Sequence, residues 1–197
     1  MVGVLAAFGL LVTAPFVASR DPLVLLDWAV GGPYSFLREV AGLDGLATGA
    51  PWHLAVHLVS GVVGARVTSW LPLAAFFPLS AWAMSRLLAG AGRWGCLAGS
   101  LLYAVNPVVV DRAWVGHFGF LVGYALLPLA VRAFLDLAGP RPSPARAALW
   151  LLALTGLSPH FAWIGAVALL AAVAPVMRRA WRPLLVTLLA LGAGLAF

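Results

Sequence analysis

Apolar residues come in long runs along this chain, and polar residues fall into narrow breaks between them. The run 2–18 holds no charged residue. A membrane-crossing helix needs about 20 apolar residues, with roughly 17–25 as the working range, so this run predicts a first span. No basic residue precedes it and further runs follow, which favours an uncleaved span over a signal peptide. Residues 19–49 are mixed, with Arg20, Asp21, Asp27, Arg38, Glu39 and Asp44. Within them, Pro33 starts a short predicted helix with Phe36, Leu37 and Val40 on one side and Arg38 and Glu39 on the other, a pattern suited to the membrane surface. The segment 52–65 repeats that theme. His53, His57, Ser60 and Gly64 form a polar stripe against Leu54, Val56, Leu58, Val59, Val62 and Val63, predicting a second surface helix, with a short true span as the rival reading.

Further spans are predicted at 68–85, 94–110 and 118–131. Gly95-x-x-x-Gly99 and Gly119-x-x-x-Gly123 place small residues where helix backbones approach closely in lipid. The run 147–177 is interrupted by Ser158-Pro159-His160. Proline disfavours helix at the residue before it, so two short spans meeting at that turn are expected, with one kinked span as the alternative. Another apolar run begins at Pro183. The expectation is an all-α polytopic transmembrane helical bundle of about six to seven spans with amphipathic surface helices in the first outer loop. Residues 1–197 form a single transmembrane domain, expected to be the N-terminal part of a longer protein.

The stretch 103–128, YAVNPVVVDRAWVGHFGFLVGYALLP, departs most from this pattern. It could cross a bilayer nearly twice, yet its middle holds Asn106, Pro107, Asp111, Arg112 and His117. A charge at the bilayer centre costs about 2.5–3.5 kcal/mol on insertion scales. Two spans joined by a polar turn are therefore expected, and polar residues at such a place tend to mark function.

Composition agrees: 63% of the residues are hydrophobic and 9% charged, where a soluble domain carries about 25% charge. Mean hydropathy is +1.03. All twelve basic residues are arginine, and the net charge is +6. No basic run interleaves with aromatics as a nucleic-acid surface would require. The arginines instead set orientation. With a cytoplasmic N-terminus and a non-crossing 52–65, Arg86, Arg93, Arg132, Arg141, Arg146, Arg178, Arg179 and Arg182 fall inside, and Arg20, Arg38, Arg66 and Arg112 outside, as the positive-inside bias asks. The expected location is the plasma (inner) membrane, multi-pass. The lone Cys96 excludes an internal disulfide and a cysteine-rich metal site.

In this layout the unusual polar residues gather on the outer face. Asp27 lies among apolar residues in LVLLDWAV, where a carboxylate partly desolvated by Trp28 suits a general base. Asp21 is the second candidate, with a solvated helix end as its plain reading. Arg112 carries a donor fork suited to phosphate, or forms a self-neutralising pair with Asp111. His117 and His160 cap turns or line the same cavity, and Asn106 with Pro107 ends a helix. His53 and His57 stand one turn apart without a third ligand nearby, so a polar stripe facing headgroups is preferred to a metal site.

A span ending in Tyr103-Ala-x-Asn106-Pro107, then Arg112, Gly116-His117 and Gly123-Tyr124-Ala-x-x-Pro128, resembles membrane glycosyltransferases of the GT-C superfamily, in particular actinobacterial and archaeal members similar to arabinofuranosyltransferases. The specific part covers about 25 residues. The resemblance implies a cytoplasmic N-terminus, a long first outer loop with surface helices, a catalytic carboxylate just after span one, and a polyprenyl-phosphate sugar as donor. That carboxylate maps to Asp21 or Asp27. The Asp-Glu or Asp-x-Asp pair of many members is missing here.

The expected function is sugar transfer from the polyprenyl-phosphate donor to a polysaccharide or glycolipid acceptor of the cell envelope, at the outer membrane face. Asp27 or Asp21 would act as base. Arg112, His117, His160, Asp111, Asn106, His53 and His57 would bind substrate. No cofactor or bound metal is called for, and the partners are the bilayer, donor and acceptor, without nucleic acid. A transporter or flippase and a non-catalytic membrane subunit are the alternatives.

Overall fold

The structure is a computed structural model that describes residues 2–19, 21–25, 28, 30, 35, 37, 38, 50–174, 185–187 and 189. The helix expected from Pro33 and the apolar run from Pro183 lie almost wholly outside these residues. Among the described residues the fold is all-helical and has no strand. The helices are α1 (Val2–Ala18), α2 (Ala50–Leu87), α3 (Gly92–Ala104), α4 (Pro107–Val115), α5 (Phe118–Asp136), α6 (Pro144–Leu157) and α7 (His160–Val173).

Long α2 is two helices in one. At Gly64 the backbone takes φ 83° and ψ 155°, a conformation open to glycine and costly to any residue with a Cβ. This break separates the striped segment expected at 52–65 from the apolar segment expected at 68–85. α3 and α4 follow one another with a bend of 40° at Val105 and Asn106. The bend is built by Asn106, whose side-chain oxygen accepts from the Val108 and Val109 amides at 3.0 and 3.2 Å. Pro107 occupies the first helical position, where a missing N–H costs nothing. α4 ends in a left-handed glycine, Gly116 at φ 92°. The Gly116 amide bonds the Ala113 carbonyl at 3.3 Å and the His117 amide the Arg112 carbonyl at 2.9 Å, a Schellman ending.

α5 is the central helix. On one side Phe118, Leu121 and Ala125 join Leu5, Trp28, Leu73 and Phe76 in a buried cluster. On the other, Ala130 and Phe134 join Leu151, Leu154, Phe161 and Leu169. Tyr124 touches both clusters. A Cβ at Gly123 would collide with the Phe161 ring, and one at Gly119 would sit 2.5 Å from the Leu157 carbonyl oxygen. This Gly-x-x-x-Gly pair thus seats α5 against the α6–α7 turn. At the other pair, Gly95 meets Ala91 on the preceding turn, and Gly99 meets Leu88 and Met84 at the end of α2, so this pair seats α3 only against the helix before it.

α6 and α7 reverse at Ser158 and Pro159. Gly165 meets the Leu151 side chain, although in one continuous helix those residues would lie about 21 Å apart. The chain therefore forms two antiparallel helices rather than one kinked span.

The structure corrects the span count. Among the described residues two helices, α2 and α5, are long and apolar enough to cross a membrane, and α3 with α4 makes a third if the bent pair is one span. Six to seven spans are not supported. α6 and α7 have 14 residues each, about 21 Å of helix against roughly 30 Å of hydrocarbon. The coarser conclusion holds: these apolar helices are those of a membrane protein.

Candidate functional site

Two turns meet at one end of the bundle, Gly116–His117 between α4 and α5 and Ser158–Pro159 between α6 and α7. The segment after α1 is sewn onto the same end. The Ser69 hydroxyl accepts from the Leu23 amide at 2.7 Å, and the Ser69 carbonyl accepts from the Trp28 indole N–H at 2.7 Å. Arg66 donates to the Val17 carbonyl at 2.7 Å, answering the open end of α1. Trp28, only 5% exposed, packs edge-on against Phe118 at 5.0 Å and beside Trp52 at 6.0 Å. A Cβ at Gly116 would sit 2.7 Å from that of Trp28. Glycine is thus required at Gly116 twice, for its φ and for its space.

Between these elements lies a cleft of about 190 Å³, walled by Trp28, Trp52, Phe118 and Phe120 and edged by His53, His117, Ser158 and His160. The first turns of α5 and α7 both border it, and neither start carries a side-chain cap. Helix starts favour negative charge. Behind the wall stands Arg112. Its Nη1 is 2.9 Å from His117 Nδ1 and its guanidinium lies 5.4 Å from the centre of the Phe120 ring. Arginine has only donors, so His117 Nδ1 accepts, which puts the proton of a neutral imidazole on Nε2. Ser158, 7% exposed, is hydrogen-bonded to His160 Nδ1 at 3.0 Å, and the His160 ring meets Phe120 edge-on at 5.9 Å. Phe120 is thus touched by both Arg112 and His160.

The structure divides the residues expected from sequence. His53, His117 and His160 share the cleft, and Arg112 reaches it through His117 and Phe120 rather than lining it. Asp111 lies 3.6 Å from the Arg112 guanidinium, with 65% of its side chain exposed, so the pair is worth little energetically. Asp111 and Asn106 border a different, open groove of about 550 Å³ with Val110 and Trp114. His57 is exposed, one turn of α2 from His53, and is not part of the cleft. Asp21 is exposed, its amide bonded to the Ser19 hydroxyl at 3.2 Å, and does not line the cleft either. Asp27 lies outside the described residues, but its sequence neighbour Trp28 is a cleft wall. Among the described residues no three His, Cys, Asp or Glu side chains are grouped to hold a metal.

Sequence reasoning missed Ser158, Trp52 and Phe120. Ser158 had been read only as part of an interruption, and its spacing to His160 was the available signal. It also missed what Tyr103 and Tyr124 do. Pro128 has no N–H, so the Tyr124 carbonyl one turn earlier lacks its helical partner. The Tyr103 hydroxyl donates to that carbonyl at 2.5 Å, and the two rings stack at 4.3 Å. Asn106 Nδ2 donates to the Tyr103 carbonyl at 2.7 Å and to the Tyr124 hydroxyl at 3.3 Å. Packing and hydrogen bonding thus account for Tyr103, Asn106, Tyr124 and Pro128. Comparison of the chain with protein-family models, curated proteins and solved structures gives no match.

Proposed function

We propose that the chain is the membrane-embedded portion of a glycosyltransferase of the GT-C kind, which transfers a sugar from a polyprenyl-phosphate donor to a cell-envelope acceptor. One observation carries the reading. An aromatic-walled cleft is bordered by the first turns of α5 and α7, by an arginine-backed histidine and by a serine–histidine pair. That set of donors suits a phosphate, and the aromatic walls suit a sugar or a lipid chain.

In the proposed reaction a carboxylate, Asp27 or Asp21, takes the proton of the acceptor hydroxyl. The acceptor oxygen attacks the anomeric carbon, the bond from that carbon to the phosphate oxygen breaks, and the polyprenyl phosphate leaves with the electron pair. Negative charge grows on the phosphate oxygens. The His117 ring, held by Arg112, and the starts of α5 and α7 are the groups assigned to meet it, and groups already in place give such stabilisation its value.

In this reading the first half of α2, up to the Gly64 break, is a surface helix of the outer face, and the N-terminus is cytoplasmic in a plasma membrane. The arginine distribution supports that orientation. Arg86, Arg93, Arg132 and Arg146 fall at the end of the bundle remote from the cleft.

The test is transfer of radiolabelled sugar from a synthetic polyprenyl-phosphate donor by membranes containing the full-length protein. Transfer that falls at least tenfold in both Arg112→Gln and a His117→Ala variant, with expression unchanged, is the expected result. Transfer at the wild-type rate in both would overturn the assignment. A transporter is the second reading, favoured by the broken α3–α4 helix and the short α6–α7 hairpin, since interrupted helices often build transport sites. It is distinguished by movement of the lipid across the bilayer without sugar transfer.

A further inference from the structure

The end of the bundle away from the cleft carries its own cluster. α2 and α3 join there through a short turn. Arg86, in the last turn of α2, lies 6.0 Å from the centre of the Trp82 ring, and Arg93, at the start of α3, lies 5.8 Å from that of Trp94. Arg132 of α5 donates through Nη1 to the Arg86 carbonyl, which anchors its side chain against the C-terminal end of α2. Among the described residues none of these three arginines is paired with a carboxylate; Asp136 pairs with Arg146 at 3.3 Å instead. Trp82 is 41% and Trp94 75% exposed.

Each part has a plain role of its own. Arg86 suits the negative end of α2, and exposed tryptophans mark the level where headgroups meet hydrocarbon. Together they make more than that. Exposed at one end of the bundle and without a carboxylate partner among the described residues, the three arginines concentrate positive charge there and attract an anion. The flanking indoles place that anion at headgroup depth, where a lipid phosphate is found and a free one has no apolar part to bury.

From this geometry we infer a binding site for the phosphodiester headgroup of an anionic phospholipid, formed by Arg86, Arg93 and Arg132 and flanked by Trp82 and Trp94. The guanidinium forks bond the phosphate oxygens, and the indoles pack along the glycerol and upper acyl chains. The cleft is remote from this site: along α5, Phe118 and Arg132 are about 21 Å apart. The inference therefore does not rest on the proposed transfer reaction.

The experiment is native mass spectrometry of the full chain released from nanodiscs of phosphatidylglycerol mixed with phosphatidylcholine, with thermal stability followed as either lipid is added back. Wild type is expected to retain phosphatidylglycerol selectively and to be stabilised by it alone. Arg93→Gln with Arg86→Gln is expected to lose selectivity roughly 10- to 30-fold, given the usual worth of a basic residue near an anionic surface. Arg141→Gln, on the loop after α5, is expected to change nothing. Equal retention of both lipids overturns the site, as does full selectivity in the double variant. A loss in Arg141→Gln equal to that of the double variant would mean diffuse positive charge. Equal protection by millimolar inorganic phosphate would mean a free-anion site. Should the double variant fail to fold, Arg93→Gln alone, whose described contact is with exposed Trp94, carries the same expectation at a smaller fold-change.

Discussion

Replacing Tyr103 with phenylalanine removes one hydroxyl and leaves the stack on Tyr124 in place. The hydroxyl answers a carbonyl that α5 cannot satisfy, because Pro128 supplies no N–H. In a helix at membrane depth no water replaces it. A buried acceptor left without a donor costs about 1–3 kcal/mol, whereas interhelical hydrogen bonds in membrane proteins average about 0.6 and reach about 1.7 kcal/mol. We therefore expect Tyr103→Phe to destabilise the fold by about 1 kcal/mol, roughly a fivefold change in the unfolding equilibrium. The control is Pro128→Ala, which restores an N–H able to bond the Tyr124 carbonyl from within α5. In that background the same Tyr103→Phe change is expected to cost under about 0.4 kcal/mol, the scatter normally seen between independent sites. Reversible unfolding in mixed micelles, followed by tryptophan fluorescence, measures both. An equal cost in the two backgrounds would refute the reasoning, because the hydroxyl would then not be serving the carbonyl that proline exposes.

Three other outcomes follow from the same geometry. Gly116→Ala places a Cβ both in a left-handed conformation, costing about 1–2 kcal/mol, and 2.7 Å from that of Trp28. It should lower the melting temperature well beyond Gly90→Ala, where a Cβ meets nothing within 4 Å. Asn106→Ala removes the cap of α4 at a cost of about 1 kcal/mol, read as faster hydrogen exchange at Val108 and Val109 while α6 is unchanged. Arg112→Lys keeps the charge but loses the planar fork that reaches His117 and covers Phe120. Affinity for a polyprenyl phosphate is expected to fall about tenfold, and wild-type affinity would show that charge alone suffices.

Much of this architecture was legible in the order of residues because the signals were local. A polar stripe followed by an apolar run located the α2 break, which Gly64 provides. Ser158-Pro159 marked a reversal, and Asn106-Pro107 marked a helix boundary whose cap needs only the next three residues. Arg112 and His117 lie five apart, and a glycine ending brings such residues together. Long-range partnerships were not legible. Trp28 finds its acceptor 41 residues away on Ser69, and nothing in its neighbourhood names that partner. The role of Tyr103 depends on a proline 25 residues later, through a carbonyl that every residue possesses. Span number failed for a different reason. The turn at Ser158 in the run 147–177 is legible in sequence, but the two 14-residue helices it leaves are each too short for the full core, so neither counts as a crossing. The same turn brings His160 into the cleft that His117 also lines.

The central claim is that the paired turns bind a lipid-linked phosphate. Photo-crosslinking tests it most directly, with a polyprenyl-phosphate sugar carrying a diazirine on the lipid next to the phosphate, in membranes containing the full-length protein. Peptide mapping should place the label on residues 116–120 and 157–160, with labelling suppressed by unmodified donor and weakened in Arg112→Gln. Label confined to the open groove of Val110 and Trp114 or to the α2–α3 turn, or undiminished by unmodified donor, would contradict the claim.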